Sequence, residues 1–316
     1  MTEPPIIILL THDTPAFVLD GARALSPHVR FITRDALERD PALLEQVEVS
    51  FGVPRPEWWT QMRALRWVQA SGAGADRWLV PKAAAHPAVF TAAHIHAEPI
   101  AEHLFALLLA FTRKLLPALH QQAEHRWAGL GDPEVLSGKT LGLVGVGVIG
   151  RRAAELGAAF GMRVLGMRRS GGPAPHVERM YTPEQKAELL PLCDVLMLTI
   201  PLTPRTRCFL GPEEFALLKP GALLFNIGRG KTVDTQALLD ALHSGRLAGA
   251  GLDVTDPEPL PPNHPLWDAP NVLITPHNSG SQPDYGERAG DYFLANLRRY
   301  LAGQPLEGVI DKAEGY

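Results

Sequence analysis

Three ionisable residues in the second half of the chain could together perform acid–base chemistry on a small anion. They are Arg229, Glu258 and His277, and each follows a separate apolar, strand-like segment. A histidine can donate a proton near neutral pH, and a carboxylate can orient the imidazole through its other nitrogen. A guanidinium can hold a substrate carboxylate and polarise the adjacent carbonyl. Taken singly, each residue is more often structural, so the hypothesis depends on their occurring together.

A glycine-rich run in the middle of the chain predicts a dinucleotide-binding turn. Gly145, Gly147 and Gly150 follow a strand-like segment at 140–144 and precede a helix-like one. The first glycine permits a tight turn, the second lets the backbone approach a pyrophosphate, and the third lets the helix pack on the strand. The helix N-terminus then offers N–H groups to the phosphates. The competing interpretation is a glycine-rich turn that binds no ligand.

The end of the following strand indicates which dinucleotide is bound. An Asp or Glu about 20 residues after the motif would select NAD through the ribose hydroxyls. Here the strand ends in Arg168, Arg169 and Ser170, and no acid is present. Two guanidiniums and a hydroxyl suit a 2′-phosphate, so we predict a preference for NADPH, with NAD as the alternative cofactor. A solvated basic loop without a role in cofactor discrimination is the competing interpretation.

Length and composition are typical of a globular protein with two domains. The chain has 316 residues, of which 46% are hydrophobic and 20% charged, and its net charge is −4. This charge argues against nucleic acid or an anionic membrane as the partner, and no apolar stretch reaches the roughly 18–20 residues that span a bilayer. With two cysteines and no basic region at the N-terminus, we expect a cytoplasmic protein. We predict no metal site.

Strand-like segments alternate with helical ones, which predicts an α/β fold with parallel sheets. Strands are predicted at 6–10, 47–53, 67–70, 140–144, 163–166, 194–199, 223–227, 250–254 and 272–275, and helices at 99–113, 149–160, 235–244 and 284–301. The candidate site residues lie just past strand ends, where doubly wound sheets bind ligands. The helix at 99–113 is apolar nearly all round, so it should be buried between domains or subunits. Residues 120–132 are predicted to form a connecting arm.

Several motifs, in order, make the chain resemble the D-isomer-specific 2-hydroxyacid dehydrogenase family over nearly its whole length. They lie at 136–150, 201–206, 226–230, 251–254, 258–260 and 265–277. The resemblance implies two Rossmann-like, doubly wound parallel-sheet domains. The substrate-binding domain would combine residues 1–98 and 284–316, and the dinucleotide-binding domain would span 99–283. The resemblance also implies a homodimer formed through the helix at 99–113.

The same resemblance implies roles for individual residues. Arg229, Glu258 and His277 match the family's catalytic residues. The positions that match the cofactor site are Gly145, Gly147, Val148, Ile149, Gly150, Arg168, Arg169, Ser170, Ile200, Pro201, Thr206, Ile227, Gly228, Asp253 and Gly280. Ala73 and Gly74 match backbone donors to the substrate carboxylate, which Arg229 and His277 also contact. A glycine-containing turn of this kind can form an anion-binding nest.

The reaction implied is the interconversion of 2-oxoacids and D-2-hydroxy acids. Arg168, Arg169 and Ser170 resemble the NADP-using glyoxylate/hydroxypyruvate reductase branch, so glyoxylate or hydroxypyruvate is the first expected substrate. A reductase of bulkier 2-oxoacids, or a dinucleotide-sensing binding protein of the corepressor type, is the alternative. The size of the pocket depends on residues near Phe51, Ala73 and 94–96. The segment 278–283 departs from many relatives, which alters the pocket wall or the cofactor loop.

Overall fold

A computed structural model of the chain describes residues 4–72, 74–76 and 78–316. Contacts between Cα atoms divide the chain into two compact units. The first unit combines Met1–His96 with Gln282–Tyr316, and the second is Ala97–Ser281. Each unit contains its own parallel β-sheet.

The first unit is built around a five-stranded sheet. Its elements before residue 97 are β1 (Ile6–Leu10), α1 (Ala16–Leu25), β2 (Val29–Thr33), α2 (Arg34–Arg39), β3 (Val49–Phe51), β4 (Trp67–Ala70), α3 (Pro81–Ala85) and β5 (Val89–Ala92). The strand order is β2-β1-β3-β4-β5, and all neighbouring strands are parallel. Strands β3 and β4 are buried throughout, as expected for a parallel sheet covered on both faces. All five strands therefore end at one carboxyl edge.

The second unit is built around a seven-stranded sheet. Its elements are α4 (Ala97–Thr112), α5 (Leu115–Ala123), β6 (Thr140–Val144), α6 (Val148–Ala159), β7 (Arg163–Met167), β8 (Arg179–Tyr181), α7 (Lys186–Leu189), β9 (Val195–Leu198), α8 (Pro212–Leu217), β10 (Ala222–Asn226), α9 (Thr235–His243), β11 (Leu247–Leu252) and β12 (Val272–Ile274). The order is β12-β11-β10-β9-β6-β7-β8, and all neighbouring strands are parallel. The order of connection reverses between β6 and β9. A doubly wound sheet binds its ligand at such a switch point.

A last helix, α10 (Tyr285–Leu301), returns the chain to the first unit. Phe293 of this helix stacks on Phe51 at 4.4 Å and on Trp67 at 5.3 Å between ring centroids. All three side chains are fully buried. Both ends of the chain thus build the core of this unit.

Part of the apolar surface of helix α4 packs on strand β11 within the second unit. A Cβ built on Gly249 would lie 2.7 Å from Phe111, and one built on Gly251 would lie 3.2 Å from Leu107. The two glycines of β11 therefore leave a flat surface on which the helix lies. Although α4 is apolar, no helix in the described part of the chain is both long and apolar enough to cross a membrane.

The connecting arm predicted at 120–132 starts as a helix. Helix α5 continues through Ala123. Its last residues, Gln121, Gln122 and Ala123, are of types that favour a helix. The chain then loses regular structure and remains mostly exposed up to Val135. The arm is therefore shorter than the sequence predicted.

Candidate active site

The glycine-rich turn has the conformation that its three glycines permit. It joins β6 to α6, and Gly145 adopts a φ of 104°, in the left-handed region. A Cβ on Gly150 would lie 2.0 Å from the carbonyl oxygen of Gly145, so the helix can approach the strand only with glycine there. By contrast, no described atom outside the neighbouring residues lies within 4 Å of a Cβ built on Gly147. This open position, at the N-terminus of α6, can accommodate a pyrophosphate.

The three residues predicted to select the cofactor follow β7. Arg169 and Ser170 are exposed. Arg168 is half-buried, and its Nη2 donates hydrogen bonds to the carbonyl oxygens of Gly172 (2.7 Å) and Pro173 (2.8 Å). Arg168 therefore braces the loop that carries the other two residues, a role that the sequence did not predict. These two bonds do not involve Nη1 or Nε, and the buried Nε has no hydrogen-bond partner among the described residues.

The loop after β9 lies beside the glycine-rich turn. Val144 at the end of β6 pairs with Leu198 at the end of β9, and the hydroxyl of Thr199 donates to the carbonyl oxygen of Gly145 at 2.5 Å. Thr206 closes the loop by donating from Oγ1 to the carbonyl oxygen of Pro201 at 2.7 Å. Ile200 precedes this closed loop, so Ile200, Pro201 and Thr206 share the edge of the sheet with the turn.

The segment after β10 packs against the same loop. A Cβ on Gly228 would lie 2.5 Å from the carbonyl oxygen of Ile200, so the backbone at Ile227 and Gly228 approaches closely. The buried side chain of Asn226 accepts a hydrogen bond from the N–H of Gly228 (3.0 Å) and donates one to the carbonyl oxygen of Arg229 (3.1 Å). Asn226 thus fixes the turn that presents Arg229. Asn226 was not among the predicted site residues, although a polar residue at the end of an apolar strand was a usable signal.

Arg229 and Glu258 lie on segments that touch each other. A Cβ on Gly230 would lie 2.0 Å from the carbonyl oxygen of Thr255, so the chain next to Arg229 contacts the start of the loop that carries Glu258. Arg229 Nη1 also donates to the carbonyl oxygen of Gly228 at 2.7 Å, which directs the guanidinium back along its own turn. The contact between the two segments depends on the absence of a side chain at Gly230.

Glu258 and His277 form a direct pair. The distance from Glu258 Oε1 to His277 Nδ1 is 2.6 Å, and both side chains are about a quarter to a third exposed, at 27% and 31%. His277 has a φ of 52°, and its N–H donates to the carbonyl oxygen of Thr275 at 3.0 Å. Because Glu258 engages Nδ1, Nε2 is the nitrogen that can exchange a proton with a ligand.

Asp253 holds the segment on both sides of His277. Its buried carboxylate accepts hydrogen bonds from the Thr275 hydroxyl (2.6 Å) and from the N–H groups of Asn278 and Ser279 (3.0 Å each). The Thr275 hydroxyl donates to Asp253, so it accepts from His103 Nε2 at 2.9 Å. The carboxylate therefore organises the loop that carries the imidazole. His103, a polar residue on the apolar helix α4, was missed by the sequence analysis.

Three further residues were predicted to belong to the site, namely Ala73, Gly74 and Gly280. Gly74 lies in the irregular segment after β4, in the first unit, whereas Arg229, Glu258 and His277 belong to the second. Ala73 lies outside the described residues. Gly280 follows the loop that Asp253 anchors. Within the described ranges, no group of three or more His, Cys, Asp or Glu side chains could hold a metal ion.

Known proteins similar to this chain share most of its length. Residues 105–279 match the family model described as "D-isomer specific 2-hydroxyacid dehydrogenase, NAD binding domain". The glyoxylate reductase of Aeropyrum pernix is 37% identical over 225 residues, which cover 68% of this chain and 67% of the relative. The similarity therefore includes the nucleotide turn and all three candidate catalytic residues.

Solved structures show the same fold over nearly the entire chain. A D-isomer specific 2-hydroxyacid dehydrogenase from Xanthobacter autotrophicus, in complex with NADPH and MES, has a TM-score of 0.85 at 27% identity and covers 99% of this chain and 100% of its own. The NADPH-dependent glyoxylate/hydroxypyruvate reductase from Sinorhizobium meliloti, in complex with NADP and sulfate, has a TM-score of 0.81 at 28% identity. That alignment covers 98% of this chain and 100% of the reductase.

Proposed function

Because this chain belongs to the family of D-isomer specific 2-hydroxyacid dehydrogenases, we propose that it is an NADPH-preferring reductase that interconverts 2-oxoacids and D-2-hydroxy acids. Glyoxylate and hydroxypyruvate are the first substrates to expect. The observation that carries the proposal is the 2.6 Å contact between Glu258 and His277, beside the segment that presents Arg229. The names of the Aeropyrum and Sinorhizobium relatives support this substrate class.

Each catalytic residue has a separate task in this reaction. When bound, NADPH would supply the hydride that C2 of the 2-oxoacid gains. His277 donates the proton from Nε2 to the carbonyl oxygen, so that the carbonyl becomes a hydroxyl. Glu258 keeps the imidazole oriented and stabilises its protonated form. Arg229 binds the substrate carboxylate and stabilises the negative charge that develops on the carbonyl oxygen. In the reverse direction His277 accepts the proton.

The loop after β7 would bind the adenosine ribose of the cofactor and so determine the preference between NADPH and NADH. Arg169 and Ser170 are exposed there, and Arg168 holds the loop through the carbonyl oxygens of Gly172 and Pro173. A 2′-phosphate would accept hydrogen bonds from the guanidiniums, whereas the uncharged 2′-hydroxyl of an NAD ribose would offer them no anion. Asp253 and Gly280 would line the nicotinamide end, and the N–H of Gly74 would contribute to the site for the carboxylate.

We also propose a cytoplasmic homodimer. Burial raises the pKa of the Cys193 thiol to about 12, so this thiol is unreactive, and Cys208 is also a free thiol, as is usual in a reducing compartment. Large apolar side chains are exposed at Leu115, Leu119, Trp127 and Val135, on α5 and the arm that follows. Exposed apolar groups of this size are commonly covered by a partner.

The decisive experiment follows absorbance at 340 nm with NADPH and then NADH, against glyoxylate, hydroxypyruvate, pyruvate, 2-oxobutyrate and phenylpyruvate. We expect fast oxidation of NADPH with the small 2-oxoacids. His277→Ala should abolish most of it, whereas His243→Ala, at an exposed position on α9, should not. Turnover only with NADH would contradict the role of Arg168 and Arg169. Tight NADPH binding without turnover of any 2-oxoacid would instead indicate a dinucleotide-sensing protein.

A further inference from the structure

The carboxyl edge of the first unit's sheet carries an imidazole that the reaction described above does not use. His12 follows β1 by two residues, and β1 lies next to β3, which lies next to β4. The segment after β4 contains Gly74, which the proposed function assigns to the substrate carboxylate. His12 is therefore two strands away from that segment along one edge.

The His12 ring has a fixed position although it is exposed. It packs edge-on against Phe51, with 4.8 Å between ring centroids. Its Nδ1 lies 3.3 Å from the hydroxyl oxygen of Thr11, a buried residue. The Phe51 ring is fully buried and stacked on Phe293, so the imidazole rests on a rigid part of the core.

Gly52 leaves the space that His12 occupies. A Cβ built on Gly52 would lie 2.7 Å from His12 Nδ1 and 1.7 Å from the Thr11 hydroxyl oxygen. Gly52 also adopts a φ of 93°, which residues with a side chain rarely adopt. The end of β3 is thus shaped so that the imidazole can lie against it.

Hydrogen bonding determines which ring nitrogen of His12 carries the proton and which can accept a hydrogen bond. The Thr11 hydroxyl donates to the carbonyl oxygen of Phe51 at 3.2 Å, so its oxygen accepts from the protonated Nδ1 of His12. The neutral tautomer with the proton on Nδ1 has a lone pair on Nε2. Desolvation by the protein around the ring lowers the pKa of His12, and Arg34 lowers it further, whereas Asp13 acts in the opposite direction. The neutral form therefore prevails at neutral pH.

We propose that His12 is a specificity-determining residue whose Nε2 accepts a hydrogen bond from a hydroxyl group on C3 of the 2-oxoacid. This inference rests on the proposed reductase function. Neighbouring strands lie about 4.8 Å apart, so two strands separate the ends of β1 and β4 by about 10 Å. A three-carbon acid with a hydrogen bond of about 3 Å at each end spans a similar distance. The preferred substrate would then be a 3-hydroxy-2-oxoacid such as hydroxypyruvate.

The test compares hydroxypyruvate with 2-oxobutyrate, in which a methyl group replaces the hydroxyl at nearly the same volume. We expect the wild-type protein to favour hydroxypyruvate by about tenfold in kcat/KM, the effect of one hydrogen bond. His12→Phe keeps a ring against Phe51 but lacks the acceptor, so the ratio should fall to about one. His12→Gln places an acceptor oxygen near the position of Nε2 and should restore part of the preference.

Two controls distinguish a loss of substrate recognition from a loss of folded structure. His28→Ala removes an imidazole at the opposite, amino end of the same sheet, next to β2, and should leave the ratio unchanged. Thermal midpoints and NADPH affinity are measured for every variant; if His12→Phe is unstable, His12→Leu is compared at a temperature below its midpoint.

A wild-type-like ratio in a folded variant without the acceptor overturns the role of His12 and leaves the reductase function intact. Absence of NADPH-dependent turnover with any 2-oxoacid in the wild-type protein overturns both.

Discussion

Glu258 and His277 contribute differently to proton transfer, and substitution can separate their effects. His277→Ala removes the proton donor, so kcat should fall by at least about 10²-fold. Glu258→Gln keeps an oxygen that can accept from Nδ1 but removes the negative charge, so the decrease should be smaller. Steady-state kinetics with hydroxypyruvate would measure both, with NADPH binding as the control for folding. Wild-type kcat in His277→Ala would refute the assignment.

Substitution of Gly147 should weaken cofactor binding without lowering the stability of the fold. No described atom outside its neighbours lies within 4 Å of a Cβ built there, so the folded protein should tolerate Gly147→Ala. The added methyl group would instead occupy the space that the pyrophosphate needs, and the Kd for NADPH should rise at least about tenfold. Gly129→Ala adds the same methyl group at another open position and serves as the control. Equal NADPH affinity in the two variants would contradict the role of the turn.

The sequence predicted the site residues that belong to motifs but not those that support them. Gly145, Gly150 and Arg168 follow from spacing and charge: Gly145 and Arg168 directly follow β6 and β7, and Gly150 lies in the first turn of α6. His103 acts through a hydrogen bond to Thr275, which is distant in the chain, whereas Asn226 bonds to Gly228 and Arg229, only two and three residues away. Both contacts depend on the direction in which the side chain points, which a spacing pattern does not contain. The bracing of its loop by Arg168 was missed for the same reason.

At the amino ends of three strands, Asp194 forms a clamp that should contribute to stability. Its carboxylate accepts hydrogen bonds from the N–H of Thr140 (2.7 Å) and from Lys219 Nζ (2.8 Å), which ties the start of β9 to β6 and to the segment before β10. Hydrogen bonds to a charged group each contribute about 2 kcal/mol. Asp194→Asn should therefore lower the free energy of unfolding by about 2 kcal/mol, measured in urea. A change below a few tenths of a kcal/mol would contradict the clamp.

The same clamp predicts a pH dependence. Burial would raise the pKa of Asp194, but the hydrogen bonds from Lys219 and Thr140 outweigh it and lower the pKa below its ordinary value. A carboxyl group with a lowered pKa stabilises the fold above its unfolded-state pKa and loses that contribution as pH falls through its folded pKa. The thermal midpoint of Asp194→Asn should thus lie below that of the wild type at pH 7, and the difference between the two midpoints should decrease as the pH is lowered. A constant difference down to pH 3 would contradict this assignment.

The strands that the sequence predicted and those it missed differ in their position in the sheets. The central strands are continuous apolar runs and were predicted with small errors at their ends, as for β3, which is shorter than 47–53. Strands β2, β5 and β8 were missed, and all three lie at sheet edges, whereas the fourth edge strand, β12, was predicted at 272–275 from its apolar run Val-Leu-Ile. β2 reads Val-Arg-Phe-Ile-Thr, with exposed and buried positions mixed. An edge strand is only partly covered, so its sequence can lack the apolar run on which the prediction depended.

Several of the large apolar side chains that are exposed to solvent lie in one segment of the chain. Leu115, Leu119, Trp127 and Val135 are all exposed and fall within α5 and the arm that follows it. A cluster of this kind is unusual on a protein that acts alone, because each large apolar side chain left in water forgoes about 1.5–3 kcal/mol of burial energy. A second copy of the chain is the partner that the family resemblance implies. The arm is therefore a second surface to test, besides helix α4.

Trp127 offers the sharpest test of the homodimer because its side chain is fully exposed, at 103% of the reference area. If a second copy covers it, the wild-type protein should sediment with twice the 34.4 kDa chain mass, and Trp127→Asp should shift the mass towards that of one chain. A charge buried in an apolar contact opposes association strongly. Trp267 is also exposed, at 50%, but lies on a different segment, so Trp267→Ala should leave the mass unchanged. A wild-type protein that sediments as a single chain at all concentrations would show that the homodimer is wrong and that the arm has another partner.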